Sequence, residues 1–148
     1  MKNLLPSVLL ATATSLLLLN PVNAAPTPEV KALIKAEMKQ AQHVEPVALH
    51  KEMQAGKKLV ILDVRQKSER PIMGALTNDD IHIPRGFLEI KTYSKVADRN
   101  ADIVVICGKG IRSAFATNTL NEMGYKNVRN LKGGLKAWKK QGLSTLKP

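Results

Sequence analysis

The sequence has little cysteine and few aromatics: one Cys, one Trp, two Tyr and two Phe among 148 residues. A lone cysteine excludes an intramolecular disulfide and any cluster that needs several thiolates. The histidines, His43, His50 and His82, show neither an HxxxH nor an HExxH spacing, so no metal and no cofactor is expected. With so few rings, the core must be built from Leu, Ile, Val, Ala and Met, which the 44% hydrophobic content supplies. Acidic residues are scarce too. Twelve stand against 23 basic ones, a formal charge of +11 that draws anions and acidic partners. Nucleic acid is not expected among them, because the lysines are scattered, few aromatics interleave, and no groove-reading or zinc-finger pattern is present.

A membrane-spanning run is also missing. The apolar stretch from Val8 to Leu19 is interrupted by Thr12, Thr14 and Ser15 and falls short of the ~20 residues a bilayer requires. Lys2 before it, the Asn20-Pro21 break and Val22-Asn23-Ala24 after it read as a secretory signal peptide over 1–24, cleaved after Ala24. The alternative is an uncleaved anchor. The expected destination is the periplasm, with no membrane anchor on the mature chain.

The mature chain divides into a helical extension over 25–44 and one domain over 45–148. Thr27 can cap a helix to Gln42, with Val30, Leu33, Ile34 and Met38 on one face. Pro46 to Gln54 reads as a second helix, stopped by Gly56. Leu59-Val60-Ile61-Leu62 and Ile103-Val104-Val105-Ile106 are short, fully apolar runs, the pattern of strands buried on both faces of a parallel sheet. A helix over Ser113–Met123, a strand over Asn127–Leu131 and a last helix over Leu135–Gln141 complete the pattern. Pro71 to Gly86 reads as loop, with at most a brief strand at Ile81-His82-Ile83. Strands alternating with helices predict an α/β fold, a central parallel β-sheet flanked by helices.

The second apolar run leads directly into Cys107-Gly108-Lys109-Gly110-Ile111-Arg112-Ser113. Carboxyl ends of parallel strands face the crevice where ligands bind, and the next helix points its unpaired N–H groups there. Gly108 and Gly110 let the backbone turn its N–H groups inward, and Lys109 and Arg112 add positive charge. Reactive thiols sit in electropositive, partly exposed settings of this kind. An isolated cysteine is otherwise a small core residue. Two glycines and two cations within five residues favour the reactive reading.

This loop resembles the active-site loop of the rhodanese family, in which a cysteine opens a short cradle that often closes with Arg-Ser. Leu62-Asp63-Val64-Arg65 is similar to the family's strand-end Asp-x-Arg, and Ile81-His82-Ile83-Pro84-Arg85-Gly86 to its His-Ile-Pro segment. Gly133-Gly134-Leu135-Lys136-Ala137-Trp138 is similar to its closing Gly-Gly-x-x-x-Trp. The departure lies at Glu69-Arg70-Pro71 and in the residues separating Gly74-Ala75 from the His-Ile-Pro segment, which bears on one active-site wall. The related phosphatases and arsenate reductases use Cys-x5-Arg, whereas Cys107 to Arg112 is Cys-x4-Arg, a cradle better fitted to one added sulfur.

The resemblance implies a single-domain rhodanese-like sulfurtransferase of the thiosulfate type. Cys107 would be catalytic, carrying sulfur as a persulfide in two covalent steps. Gly108, Lys109, Gly110, Ile111, Arg112 and Ser113 would bind the substrate. Lys109 is either a contact or a solvated rim. The partners implied are a small anionic sulfur donor such as thiosulfate and a thiol, cyanide or protein acceptor. A non-catalytic persulfide carrier is the alternative. Asp63 and Arg65 would stand behind the site, Asp63 capping N–H groups and Arg65 pairing with Glu69. Structural roles are expected for His82 and Trp138.

Overall fold

The computed structural model describes residues 25–147; the expected signal peptide lies outside them. Five strands form one parallel sheet. In chain order the elements are α1 (Pro28–Gln40), β1 (His43–Val44), α2 (Pro46–Gln54), β2 (Val60–Asp63), α3 (Arg70–Met73), β3 (Ile81–His82), α4 (Leu88–Lys95), β4 (Asp102–Ile106), α5 (Ile111–Glu122), β5 (Asn127–Leu131) and α6 (Gly134–Lys140). The strand order is β1-β5-β4-β2-β3, every pair parallel.

The two apolar runs become the sheet's centre because neither of their faces meets water. In β4, Ile103 and Val105 pack on one side with Leu62, Leu88, Leu120 and Val128. Val104 and Ile106 pack on the other with Leu49, Leu135 and Trp138. Alternation of side chains along a strand therefore feeds two cores, which is why the sequence shows a continuous apolar run rather than an in–out pattern. Leu88 of α4 and Leu120 of α5 cover the first face; Leu49 of α2 and Trp138 of α6 cover the second. Trp138 also donates its indole N–H to the Ser144 carbonyl, 2.8 Å away.

Local signals set most boundaries. Thr27 caps α1 as expected, its hydroxyl accepting from the Val30 N–H. The apolar face assigned to α1 is only partly used, however. Val30 and Leu33 are 44% and 53% exposed, and no residue of the helix is fully buried. The helix is instead tied to α5 by a polar contact, the Asn118 amide donating to the Glu37 carboxylate and carbonyl. Residues 43–44, at the end of the extension, form β1 and join the sheet against β5. Helix α5 starts at Ile111, earlier than the expected Ser113, because Gly110 at φ 83° supplies its cap. Helix α4 has no counterpart in the sequence reading. Its fully buried residues are Leu88 and Thr92, too short and too polar a stripe to register.

Residues 71–86 are more ordered than the loop that was expected. Lys67–Glu69 forms a 3₁₀ turn running into α3, and Arg85–Phe87 forms a second 3₁₀ turn, while the brief strand allowed for at Ile81–His82 is present and pairs beside β2 at the sheet edge. Gly74 reverses the chain at φ 79°, and a side chain there would collide with Thr145 and the Leu146 carbonyl. That close approach lets Ala75 and Leu146 exchange backbone hydrogen bonds of 2.8 Å.

Candidate active site

The site begins where β4 ends. Cys107 comes directly after Ile106, and its side chain is 1% exposed, deeper than the partly exposed setting the sequence suggested. The chain then turns through Gly108, Lys109 and Gly110 into α5. The Gly110 N–H donates to the Cys107 sulfur at 3.1 Å. The Ser113 hydroxyl lies 3.2 Å from the same atom.

What shapes this cradle comes from 20 residues downstream or more. The N–H groups of Leu135 and Lys136 donate to the carbonyls of Cys107 and Gly108 at 2.9 and 3.0 Å. Those carbonyls are drawn toward α6, leaving loop N–H groups free to face the sulfur. Contact this close requires glycine on both sides. A Cβ on Gly134 would stand 2.5 Å from the Cys107 carbonyl, and one on Gly110 would stand 2.8 Å from the Gly133 nitrogen. The Gly-Gly pair is thus the floor of the loop.

A cleft of about 470 Å³ opens over the sulfur, lined by Glu69, Met73, Cys107, Gly108, Lys109, Ile111, Arg112 and Lys136. Of the residues expected to bind substrate, Gly108, Lys109, Ile111 and Arg112 line it. Gly110 and Ser113 are buried and touch the sulfur instead. Glu69, Met73 and Lys136 were not foreseen as lining residues. Lys136 had a signal, its place two residues after the Gly-Gly pair. Met73 had none.

The charges differ from expectation at one point. Arg65 does not pair with Glu69. Both are engaged elsewhere: Arg65, wholly buried, meets Asp63 through its Nε at 2.9 Å and its Nη2 at 2.6 Å. Residues two apart on an extended strand share a face, which brings these two together. Glu69 instead takes Arg112 in a two-point pair of 2.6 and 2.7 Å. The Arg112 hydrogen bonds hold the Glu69 carboxyl at about 2, against desolvation that opposes them. Arg112 is consequently not a free cation, while among the described residues Lys109 and Lys136 have no carboxylate partner in the cleft.

Asp63 and Arg65 do not line the cleft; they hold its wall. Asp63 accepts from the Arg65 backbone N–H at 3.0 Å, the capping role foreseen for it. Its other oxygen accepts from Arg70 at 2.8 Å, and Arg70 also clasps Asp80. Arg70 opens α3, whose last residue is the lining Met73. Arg65 reaches the Gly74 carbonyl just beyond it, at 2.6 Å. His82 binds the Arg65 carbonyl at 2.8 Å, a structural part as expected.

The arrangement can hold a negatively charged sulfur. One backbone N–H points at it, a helix begins beside it, and cations rim the opening. Residues 45–141 match the family described as Rhodanese-like domain. The chain is 34% identical over 104 residues to the thiosulfate sulfurtransferase GlpE of Coxiella burnetii, which spans 68% of this chain and 87% of that relative. It is 32% identical over 90 residues to a sulfurtransferase of Allochromatium vinosum, spanning 61% of this chain and 80% of that one. Among solved structures, the polysulfide-sulfur transferase homodimer of Wolinella succinogenes superposes with a TM-score of 0.67 at 32% identity, covering 78% of this chain and 85% of that one.

Proposed function

The chain belongs to the family of rhodanese-like domains, and from that premise we propose that it moves sulfane sulfur from thiosulfate, or a similar anionic donor, to a thiophilic acceptor through a persulfide on Cys107. In the first step the Cys107 thiolate attacks the donor's outer sulfur. The new S–S bond forms as the donor's own S–S bond breaks, and sulfite leaves with the electron pair. In the second step a thiolate or cyanide attacks the outer sulfur of the persulfide, and Cys107 is regenerated as thiolate. Two covalent half-reactions of this kind give ping-pong kinetics.

The observation that carries this reading is the Gly110 N–H aimed at the Cys107 sulfur inside a cleft rimmed by Lys109, Arg112 and Lys136. The amide stabilises a sulfur anion, and the lysines attract the donor's oxygens. The decisive test is mass spectrometry of the protein after thiosulfate treatment. A gain of one sulfur atom on Cys107 is expected. Cys107→Ser should neither gain it nor turn over, and turnover retained in that variant would exclude the mechanism.

A second reading is a persulfide carrier that hands its sulfur to a protein partner. It draws support from Ile72 and Ile111, 78% and 38% exposed, the first adjoining Met73 and the second lining the cleft. A long-lived persulfide with negligible turnover on thiols and cyanide would favour the carrier. The proposal includes export: the leader over 1–24 would be removed and the domain would act in the periplasm. N-terminal sequencing of protein recovered from the native host should begin at Ala25, and an intact Met1 would overturn that part.

A further inference from the structure

Behind the sulfur, three side chains form a line of hydrogen bonds that ends on the backbone of α1. Ser113 Oγ lies 3.2 Å from Cys107 Sγ and 2.5 Å from Asn130 Oδ1. Asn130 Nδ2 lies 3.0 Å from the Gly110 carbonyl and 3.0 Å from His43 Nδ1. His43 Nε2 lies 2.7 Å from the Met38 carbonyl. Ser113 and Asn130 are completely buried.

Only one assignment of hydrogens satisfies the whole line. A backbone carbonyl can only accept, so His43 carries a proton on Nε2, toward Met38, and in the neutral ring Nδ1 is then a bare lone pair. Nδ1 must then accept, which requires the Asn130 NH₂ group to face it. The Gly110 carbonyl demands the same orientation independently. Turning Asn130 over would set oxygen against the Gly110 carbonyl and strand the His43 lone pair. Asn130 therefore presents its oxygen to Ser113. The serine has one proton, and two atoms, Asn130 Oδ1 and Cys107 Sγ, lie within its reach.

We infer that His43 and Asn130 are positioning residues for Cys107: together they commit the Ser113 proton to Asn130, so that Ser113 offers the sulfur a lone pair. The neutral thiol gains an acceptor for its own proton. The thiolate gains nothing from the serine and depends on the Gly110 N–H and the cleft's cations. The pairing of β1 with β5 is what makes the line possible, because it sets His43 opposite Asn130 in register. The inference rests on the reading that Cys107 is the reacting thiol.

The test is the rate of Cys107 alkylation by iodoacetamide across a range of pH; with a single cysteine the signal has one source. Asn130→Ala releases the Ser113 proton to the sulfur anion. It is expected to speed alkylation at neutral pH by about three- to tenfold, the worth of one hydrogen bond, and to move the profile to lower pH. In a Ser113→Ala background the same substitution should have no effect, since its influence passes through that hydroxyl. His43→Leu should shift the profile in the same direction by less. His43→Gln, whose side-chain oxygen can accept from Asn130, should recover most of the wild-type profile. Wild-type alkylation in both Asn130→Ala and His43→Leu, or an acceleration that persists without Ser113, would overturn the inference. Should Asn130→Ala fail to fold, the two His43 variants decide the matter. Thiosulfate loading of the wild type separates the two levels. An unloaded wild type with a shifted alkylation series would sink the sulfur-transfer reading alone, and a loaded wild type with a flat series would sink the positioning inference alone.

Discussion

The two sides of the cleft are built by different physics. The cysteine loop, Cys107 to Ser113, is held by backbone: glycines at positive φ, two N–H groups from α6 and one N–H on the sulfur. The opposite wall, Asp63 to Asp80, is held by charge: Asp63–Arg65, Asp63–Arg70, Arg70–Asp80 and Glu69–Arg112. Backbone contacts of this closeness tolerate no added atom. Ion pairs tolerate more change in shape but fail when one partner is removed. The loop should therefore respond to volume and the wall to charge.

Gly134→Ala is the most severe challenge to the loop. The new methyl would stand 2.5 Å from the Cys107 carbonyl, at a φ of +61° that alanine adopts with strain. Sulfur transfer should fall by two orders of magnitude or more, and urea unfolding should show a loss of about 2–4 kcal/mol. A near-normal rate in this variant would mean that the cradle is not fixed by α6.

Asp63→Ala is the matching challenge to the wall. It leaves the Arg65 guanidinium buried without its carboxylate and leaves Arg70 held by Asp80 alone. Stability should drop by about 3–5 kcal/mol. Proteolysis should then cut first near α3, since Arg70 loses one of its two anchors. Cleavage starting in the cysteine loop instead would blur the distinction drawn between the two sides.

Glu69→Gln tests the one place where wall and loop meet. Releasing Arg112 should lower the KM for thiosulfate by about two- to fivefold with little change in kcat. The pair also has a pH signature. Glu69 is ionised in both folded and unfolded chains at neutral pH, so its contribution is fully present above 4.5. As pH falls toward about 2, the unfolded chain takes up a proton that the folded chain refuses, and the contribution is lost through that window. Unfolding free energies of wild type and Glu69→Gln, compared from pH 6 downward, should converge across it. The smallest effect belongs to Lys136→Ala. A rise in KM of about twofold, shrinking with added salt, is expected for a single unpaired rim cation.

The same division governs what could be read in advance. Strands β2 and β4 were legible because a strand covered on both faces has no polar residue to interrupt it. Helix α2 and strand β5 were legible because local signals bound them, a proline at the start of the helix and a turn-forming Gly-Gly after the strand. The loop was legible because two glycines and two cations beside a cysteine are informative without any knowledge of their surroundings. Arg65 was paired with the wrong carboxylate because nothing in the sequence distinguishes Glu69 from Asp63 as its partner; just past the end of β2 it meets Asp63, two residues before it. Helix α4 escaped notice because it buries only Leu88 and Thr92 fully. Glu69 and Lys136 gave weak signals, since charged side chains look alike at any position, and Met73 gave none.

By itself the sequence determined the alternation of buried strands and helices, the cysteine at a strand's carboxyl end and the glycines that follow it. These come from periodicity and from the few backbone shapes that only glycine adopts. The tertiary structure alone decided which cation is free and which is paired. It also decided that Gly134 floors a loop 27 residues earlier, and that His43 stands beside Asn130 across 87 residues of chain. Such contacts are set by sheet order and strand register, which arise from the summed burial of many side chains and leave no mark on the individual residues they bring together.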